Sequence, residues 1–278
     1  MDQSPEKPAK RKRGRPKSQF KDSPSETLQS VERALVILKA VAELKRTTLS
    51  DLALSLGVPT ATAHRVLKTL QKHDFVAFDE DTQDWMIGLE TYRTGTAYLN
   101  QSNLTQVGHK VMRTLMMSTE ETANLAVHDQ FEVVFIGQVE THNPIRAFFP
   151  PGSRSSMHAS GAGKAILSAL PVAQMRKLVE TAGLEQFTEH TLTSPEPFFE
   201  ELARTHARGW SFDREERYLG MSCIGSAIFD RNGHPIAAVS ISGPSTRFSK
   251  GKVTDFGEAV AQAASEITRQ TGGRGPVT

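Results

Sequence analysis

Two serines, Ser240 and Ser242, stand two apart inside an otherwise apolar run. On a strand that spacing turns both hydroxyls to one face, while Val239 and Ile241 point into the core. Upstream, Ser160-Gly161-Ala162-Gly163 opens a helical stretch. The first N–H groups of a helix lack internal partners and its dipole favours negative charge, so small residues there let a carboxylate approach. Asp213 can accept a hydrogen bond from a hydrated aldehyde or an alcohol, and Cys223 offers a compact, weakly polar wall. Residue types alone put plainer readings first: Gly161 and Gly163 for helix packing, Cys223 as an ordinary buried thiol, Ser-Ile-Ser as a half-exposed strand.

Other chemistries find less support. Cys223 as nucleophile, His158 as base and Asp213 as orienter would make a hydrolase, but no nucleophile motif surrounds the cysteine. Gly161-Ala162-Gly163-Lys164 is not a phosphate loop, because the first glycine of that motif falls on His158 and Ala165 replaces the Ser or Thr. The nine histidines show no ligand spacing and there is no cysteine pair. The expectation is a binding protein without metal or cofactor, not an enzyme.

A second group of residues points to nucleic acid. Lys7 to Lys21 holds eight Lys or Arg and no acid, leaving 25 basic against 31 acidic residues elsewhere. The basicity is a tail on a mildly acidic body, suited to local contact with a polyanion or simply to solvation. Within it, Lys12-Arg13-Gly14-Arg15-Pro16 resembles an AT-hook core: Arg13 and Arg15, held extended by the proline, fit the narrow minor groove of A·T-rich DNA.

The elements that position these residues follow from periodicity. A first helix carries Val31, Leu35, Leu38 and Val41; Thr48 and Asp51 form a capping-box variant for a short second helix; Gly57-Val58-Pro59 stops it. Thr60 is expected to cap a third helix, to about His73, burying Ala63, Val66, Leu67 and Leu70. Short β runs at Phe75–Phe78 and Trp85–Gly88 make a hairpin, completing a winged helix-turn-helix. Its third helix enters the major groove, so Thr60, Ala61, Thr62, His64 and Arg65 face bases or phosphates, with Lys68 and Lys72 further along. Arg65 suits guanine, whose two acceptors a guanidinium matches; Thr60 as a mere cap and His64 as a solvated residue remain open.

Beyond two helices, Leu89–Leu99 and Leu104–Met117, the pattern alternates at Thr122–His128 and becomes β-branched at Glu132–Glu140. Helices at Gly161–Leu170, Val172–Thr181 and Glu196–Arg208 interrupt further strands at Ser222–Phe229 and Ile236–Ser242. The last two join through Asn232-Gly233, and a final helix spans Thr254–Gln270. The fold class is α+β: a winged helix-turn-helix followed by one antiparallel sheet with flanking helices. The boundaries expected are 1–27 for the arm, 28–88, a linker helix 89–102, 103–272 and a tail 273–278. At 278 residues and 38% hydrophobic the chain can bury two cores. No stretch approaches the ~18 uncharged apolar residues a membrane helix needs, and the charged N-terminus and single cysteine suit a reducing cytoplasm.

Five motifs fall in order: Thr60-Ala61-Thr62-Ala63-His64-Arg65-Val66-Leu67; Met157-His158-Ala159-Ser160-Gly161-Ala162-Gly163-Lys164-Ala165; Gly209-Trp210-Ser211-Phe212-Asp213-Arg214-Glu215-Glu216; Cys223-Ile224; and Ser240-Ile241-Ser242-Gly243-Pro244. Over about Leu28 to Gly272 the chain resembles the IclR family of bacterial transcriptional regulators. Its arm and His-Ala-Ser-Gly form look most like glyoxylate-responsive regulators of allantoin utilisation. The resemblance implies a GAF/PAS-like effector domain with Gly161, Ala162, Asp213, Cys223, Ser240 and Ser242 as effector contacts. Met157 and Leu219 would close the apolar side. It implies glyoxylate, or pyruvate or another short acid, as effector, and a homo-oligomer (dimer or dimer of dimers) on a pseudo-palindromic double-stranded operator.

Overall fold

The computed structural model describes residues 28–100 and 103–275. Arg13 and Arg15 of the basic arm lie outside them. The chain divides into two compact units between Thr94 and Gly95.

In the first unit, α1 (Gln29–Leu44), α2 (Leu49–Ser55) and α3 (Thr60–Lys72) precede a hairpin of β1 (Val76–Asp79) and β2 (Asp84–Ile87), and α4 (Leu89–Asn100) follows. Thr48 caps α2: its hydroxyl oxygen accepts from the Asp51 N–H at 3.2 Å and its O–H donates to the Asp51 carboxylate at 2.8 Å. Thr60 does not cap α3. Pro59 occupies that position, and its carbonyl accepts from the N–H groups of Thr62 and Ala63 at 2.8 and 3.1 Å. The ring fixes φ near −58°, which sets the chain to enter the helix without a side-chain bond. Ile37, Val41, Leu52, Ala63, Leu67, Val76 and Trp85 close the core, with Val66 and Leu70 only partly buried against it. Thr47 bridges to Trp85, exchanging N–H···O bonds of 3.1 and 2.8 Å, which ties the hairpin to the segment between α1 and α2.

The second unit, from Gly95 within α4, continues with α5 (Leu104–Thr119) and is built on a six-stranded antiparallel sheet ordered β5-β4-β3-β8-β7-β6. The strands are β3 (Thr122–Asp129), β4 (Glu132–Val139), β5 (Arg154–Ser156), β6 (Ser211–Arg214), β7 (Met221–Phe229) and β8 (Pro235–Pro244). Between β5 and β6 run α6 (Gly161–Ala169), α7 (Val172–Ala182) and α8 (Pro195–Arg208); α9 (Lys250–Gln270) ends the unit. One face buries Leu125, Ile224, Ile228, Val239 and Ile241 against α5 and α9; the other buries Ala126, Phe135 and Ala238 against α6, α7 and α8. The edge strands β5 and β6 differ from the sequence expectation, which had no strand there: three and four residues of mostly polar sequence owe their extended form to β4 and β7. Helix α9 starts four residues early, because Lys250-Gly251-Lys252 carry no apolar period to betray a first turn.

Candidate functional site

Cross-strand register brings together residues scattered through the sequence. Asp213 of β6 lies opposite Cys223 of β7, Cys223 opposite Ser242 of β8, and Ser242 opposite Thr122 of β3. The neighbouring row on the same face reads Ser211, Gly225, Ser240, Asn124 and Gln138. Directly opposed residues share a face, so the two rows form a buried polar floor on the side covered by α6. Ser240, Ser242, Asn124 and Thr122 are fully buried and Cys223 is 8% exposed.

Helix α6 starts directly over this floor. Ser160 caps it, its hydroxyl oxygen accepting the Gly163 N–H at 3.1 Å. A Cβ on Gly161 would sit 2.8 Å from the Cys223 sulfur, and one on Gly225 would sit 2.8 Å from the Ala162 nitrogen, so both positions require glycine. The Ser211 hydroxyl, donating to the Gly161 carbonyl at 2.5 Å, fastens helix to sheet. The start of α6 therefore brings Gly161 and Ala162 against β7, beside Cys223 and its cross-strand neighbour Ser242, while Asp213 and Ser240 lie in the same two rows.

The electrostatics come from a lysine that sequence reasoning passed over. Lys164, wholly buried, donates to the Phe212 carbonyl and to the Glu216 carboxylate, each at 2.5 Å. Asp213 accepts the Glu216 backbone N–H at 2.8 Å. Burial pushes the Asp213 carboxyl up to about 7, the Glu216 carboxylate adding to the rise and the Lys164 ammonium opposing it. Burial disfavours the ionised forms of Asp213 and Glu216 alike, and the Lys164 ammonium opposes that rise for both. Burial also pushes the Cys223 thiol up to about 11, with Asp213 adding to it, and the Ser242 hydroxyl donates to its sulfur at 3.2 Å. That is a wall group, not a thiolate. The His158 side chain binds the Glu185 carbonyl at 2.9 Å and its ring stacks on Phe131 and Phe187, with burial lowering its pKa. Met157 is packed under Gly163, whereas Leu219, expected to close the apolar side, is 63% exposed at the β6–β7 turn. Among the described residues no cluster of His, Cys, Asp and Glu could hold a metal ion, and no helix is long and apolar enough to cross a membrane.

In the first unit, α3 presents Thr60, Ala61, His64, Arg65 and Lys68 to solvent, with Thr62 half-buried. Lys68 is turned toward the hairpin: its ammonium donates to Gln71 at 3.0 Å and lies 5.9 and 5.7 Å from the Phe78 and Trp85 ring centres. The hairpin tip, Asp79 to Asp84, carries four acids. Arg46 meets Asp79 at 3.1 Å, and the Thr82 backbone N–H followed by Arg46 holds the Asp79 pKa below its usual value.

The family model of the IclR helix-turn-helix domain matches residues 30–80, and that of the bacterial transcriptional regulator IclR C-terminal region matches residues 96–269. The chain belongs to the IclR family. It is 40% identical to the HTH-type transcriptional regulator BhcR of Paracoccus denitrificans, over 93% of this chain and 94% of that one. It is 39% identical to the acetate operon repressor of Salmonella typhimurium (96% and 98%) and 37% identical to the HTH-type transcriptional repressor AllR of Escherichia coli K12 (94% and 97%). The Thermotoga maritima IclR crystal structure superposes with a TM-score of 0.74 at 28% identity, covering 87% of this chain and 98% of that one.

As an IclR-type protein the chain is a DNA-binding transcriptional regulator and not an enzyme, which sets aside the cysteine hydrolase. Its second unit carries the match to the family's C-terminal region. Sequence reading missed Lys164, Glu216, Ser211, Asn124 and Gln138 in the site. One available signal was a lone lysine in the apolar helix Gly161-Ala162-Gly163-Lys164-Ala165-Ile166-Leu167; another was Asn124 between Ala123 and Leu125 on a strand buried on both faces.

Proposed function

We propose that this IclR-family regulator places paired α3 helices on a pseudo-palindromic operator and adjusts its affinity to a small 2-oxo carboxylate, glyoxylate first. It would thereby govern genes of glyoxylate, glycolate or allantoin metabolism. The observation that carries the reading is the cup: a floor of Cys223, Gly225, Ser240 and Ser242 under a helix start packed too closely for a Cβ at Gly161. A ligand entering there would have few non-hydrogen atoms. The Gly161 and Ala162 N–H groups and the helix dipole favour its carboxylate. Asp213, protonated up to about pH 7, meets a carbonyl or hydrated aldehyde as a donor instead of a competing anion. A relative named for the acetate operon agrees with a two-carbon acid.

On the DNA side, Thr60, Ala61, Thr62, His64 and Arg65 would meet the groove, Lys68 the backbone, and Arg13 and Arg15 the minor groove. The chain would work in the cytoplasm as a dimer or dimer of dimers, since pseudo-palindromic half-sites mirror protein symmetry. The effector acts by binding one arrangement of subunits better than another.

The test is calorimetric titration with glyoxylate, pyruvate, glycolate and acetate, then a gel shift on the DNA upstream of the gene with and without the best binder. Submillimolar binding of one acid that changes operator affinity is expected. Pyruvate outranking glyoxylate would move the effector assignment. Indifference to every acid, or a gel shift none of them alters, would overturn the reading.

A further inference from the structure

The floor extends past its family-matched residues onto β3 and β4, where a directional chain of hydrogen bonds begins. The Gln138 amide nitrogen donates to the Asn124 carbonyl oxygen at 3.1 Å, the Asn124 amide nitrogen donates to the Ser242 hydroxyl at 3.3 Å, and Ser242 donates to the Cys223 sulfur. Asn124 is fully buried, on β3 opposite Ser240, whose equally buried hydroxyl has no partner. A carboxamide has two N–H donors and one acceptor oxygen. With its oxygen engaged by Gln138 and one N–H on Ser242, Asn124 has one donor left beside the unpartnered Ser240.

We infer that Asn124 is a ligand-selecting residue of the cup, presenting an N–H to a ligand oxygen, and that Gln138 is the positioning residue that fixes its amide in the donating orientation. This rests on the cup being the effector site. Reversed, the Asn124 amide would aim a carbonyl oxygen at the ligand, repelling a carboxylate and welcoming a hydroxyl. The chain thus sets the polarity of the pocket: with the Ser240 O–H and the N–H groups of α6, it offers donors to an oxyanion from two sides. A buried donor left unmatched is costly, so such a site rejects ligands that cannot accept. The selected ligand class is a short acid with oxygen acceptors at both ends, such as a 2-oxo carboxylate, over a neutral hydroxy aldehyde of the same carbon number.

The decisive measurement is the ratio of affinities for glyoxylate and glycolaldehyde in the full-length protein. Gln138→Met keeps the side-chain length and charge but frees the Asn124 amide. We expect it to lower the ratio by about three- to tenfold, the worth of one net hydrogen bond. Gln138→Glu, which accepts from Asn124 and so turns its oxygen toward the cup, should lower the ratio further. An unchanged ratio in Gln138→Met, or equal weakening of both ligands as a loosened fold would give, overturns the inference. Gly161→Ala separates this failure from that of the underlying reading. If it too leaves glyoxylate affinity intact, the cup is not the effector site. If it abolishes binding while the Gln138→Met ratio stays unchanged, only the Asn124 assignment is lost.

Discussion

Asp213 makes the residue scale measurable. Its carboxyl titrates near 3.8 when unfolded and about 7 when folded, and Glu216 is shifted in the same direction by burial. The folded state therefore binds more protons between these limits, and stability, greatest below the unfolded pKa, declines as pH rises toward 7. Each such proton contributes at most about 1.4 kcal/mol per pH unit. Thermal unfolding from pH 4.5 to 7.5 should show a falling midpoint with a shallower slope in Asp213→Asn, and parallel slopes would refute the assignment. In calorimetry, glyoxylate affinity should also weaken above pH 7, where Asp213 becomes an anion facing an anion. At this scale the sequence was legible where periodicity speaks: Ser240 and Ser242 share a face because strand side chains alternate. Lys164 was not, since its partner Glu216 lies 52 residues away and only the fold closes that loop.

Among the elements, the hairpin tip carries an unexpected charge. Wings of this fold are often imagined against phosphate, yet Asp79, Glu80, Asp81 and Asp84 make this one acidic, with Arg46 engaged by Asp79. Phosphate would be repelled, leaving α3 and the arm to supply the affinity. Replacing Glu80 and Asp81 by lysine should strengthen operator binding and steepen its salt dependence by up to about 0.9 per new phosphate contact in a log–log plot. A salt slope identical to wild type would show that the tip never nears DNA. The helices and the four longer strands announced themselves through apolar period and turn residues, such as Gly233 at φ +80° in the β7–β8 hairpin. Strands β5 and β6 did not: they are stabilised by neighbours, so their own residues hold no signal. Pro59 shows the same limit at a helix start, where a carbonyl did what a side chain was expected to do.

For the whole molecule, the division between Thr94 and Gly95 predicts that DNA binding and the proposed acid binding separate by mutation. Arg65→Ala should weaken operator binding at least about tenfold, the worth of one bidentate base contact, while glyoxylate titration is unaltered. Ser240→Ala should do the converse. Deleting residues 1–27 should lower operator affinity and flatten its salt dependence, since eight basic residues go with it. Equal loss of both activities in either point variant would argue against independent halves. Charge at this scale was fully legible, because a net sum needs no fold; the convergence of β6, β7, β8 and α6 on one cup was not, because register is a tertiary property.

Cys223 is the only cysteine in the sequence, and it is buried against Gly161 at the start of α6. A thiol-directed dye is expected to react faster whenever this packing loosens, and with a single cysteine no other thiol blurs the signal. Labelling speed becomes a stopwatch for the opening of this half of the protein. A ligand lodged between Gly161 and Ser242 should slow it in proportion to occupancy, giving an occupancy gauge that needs neither DNA nor a heat signal.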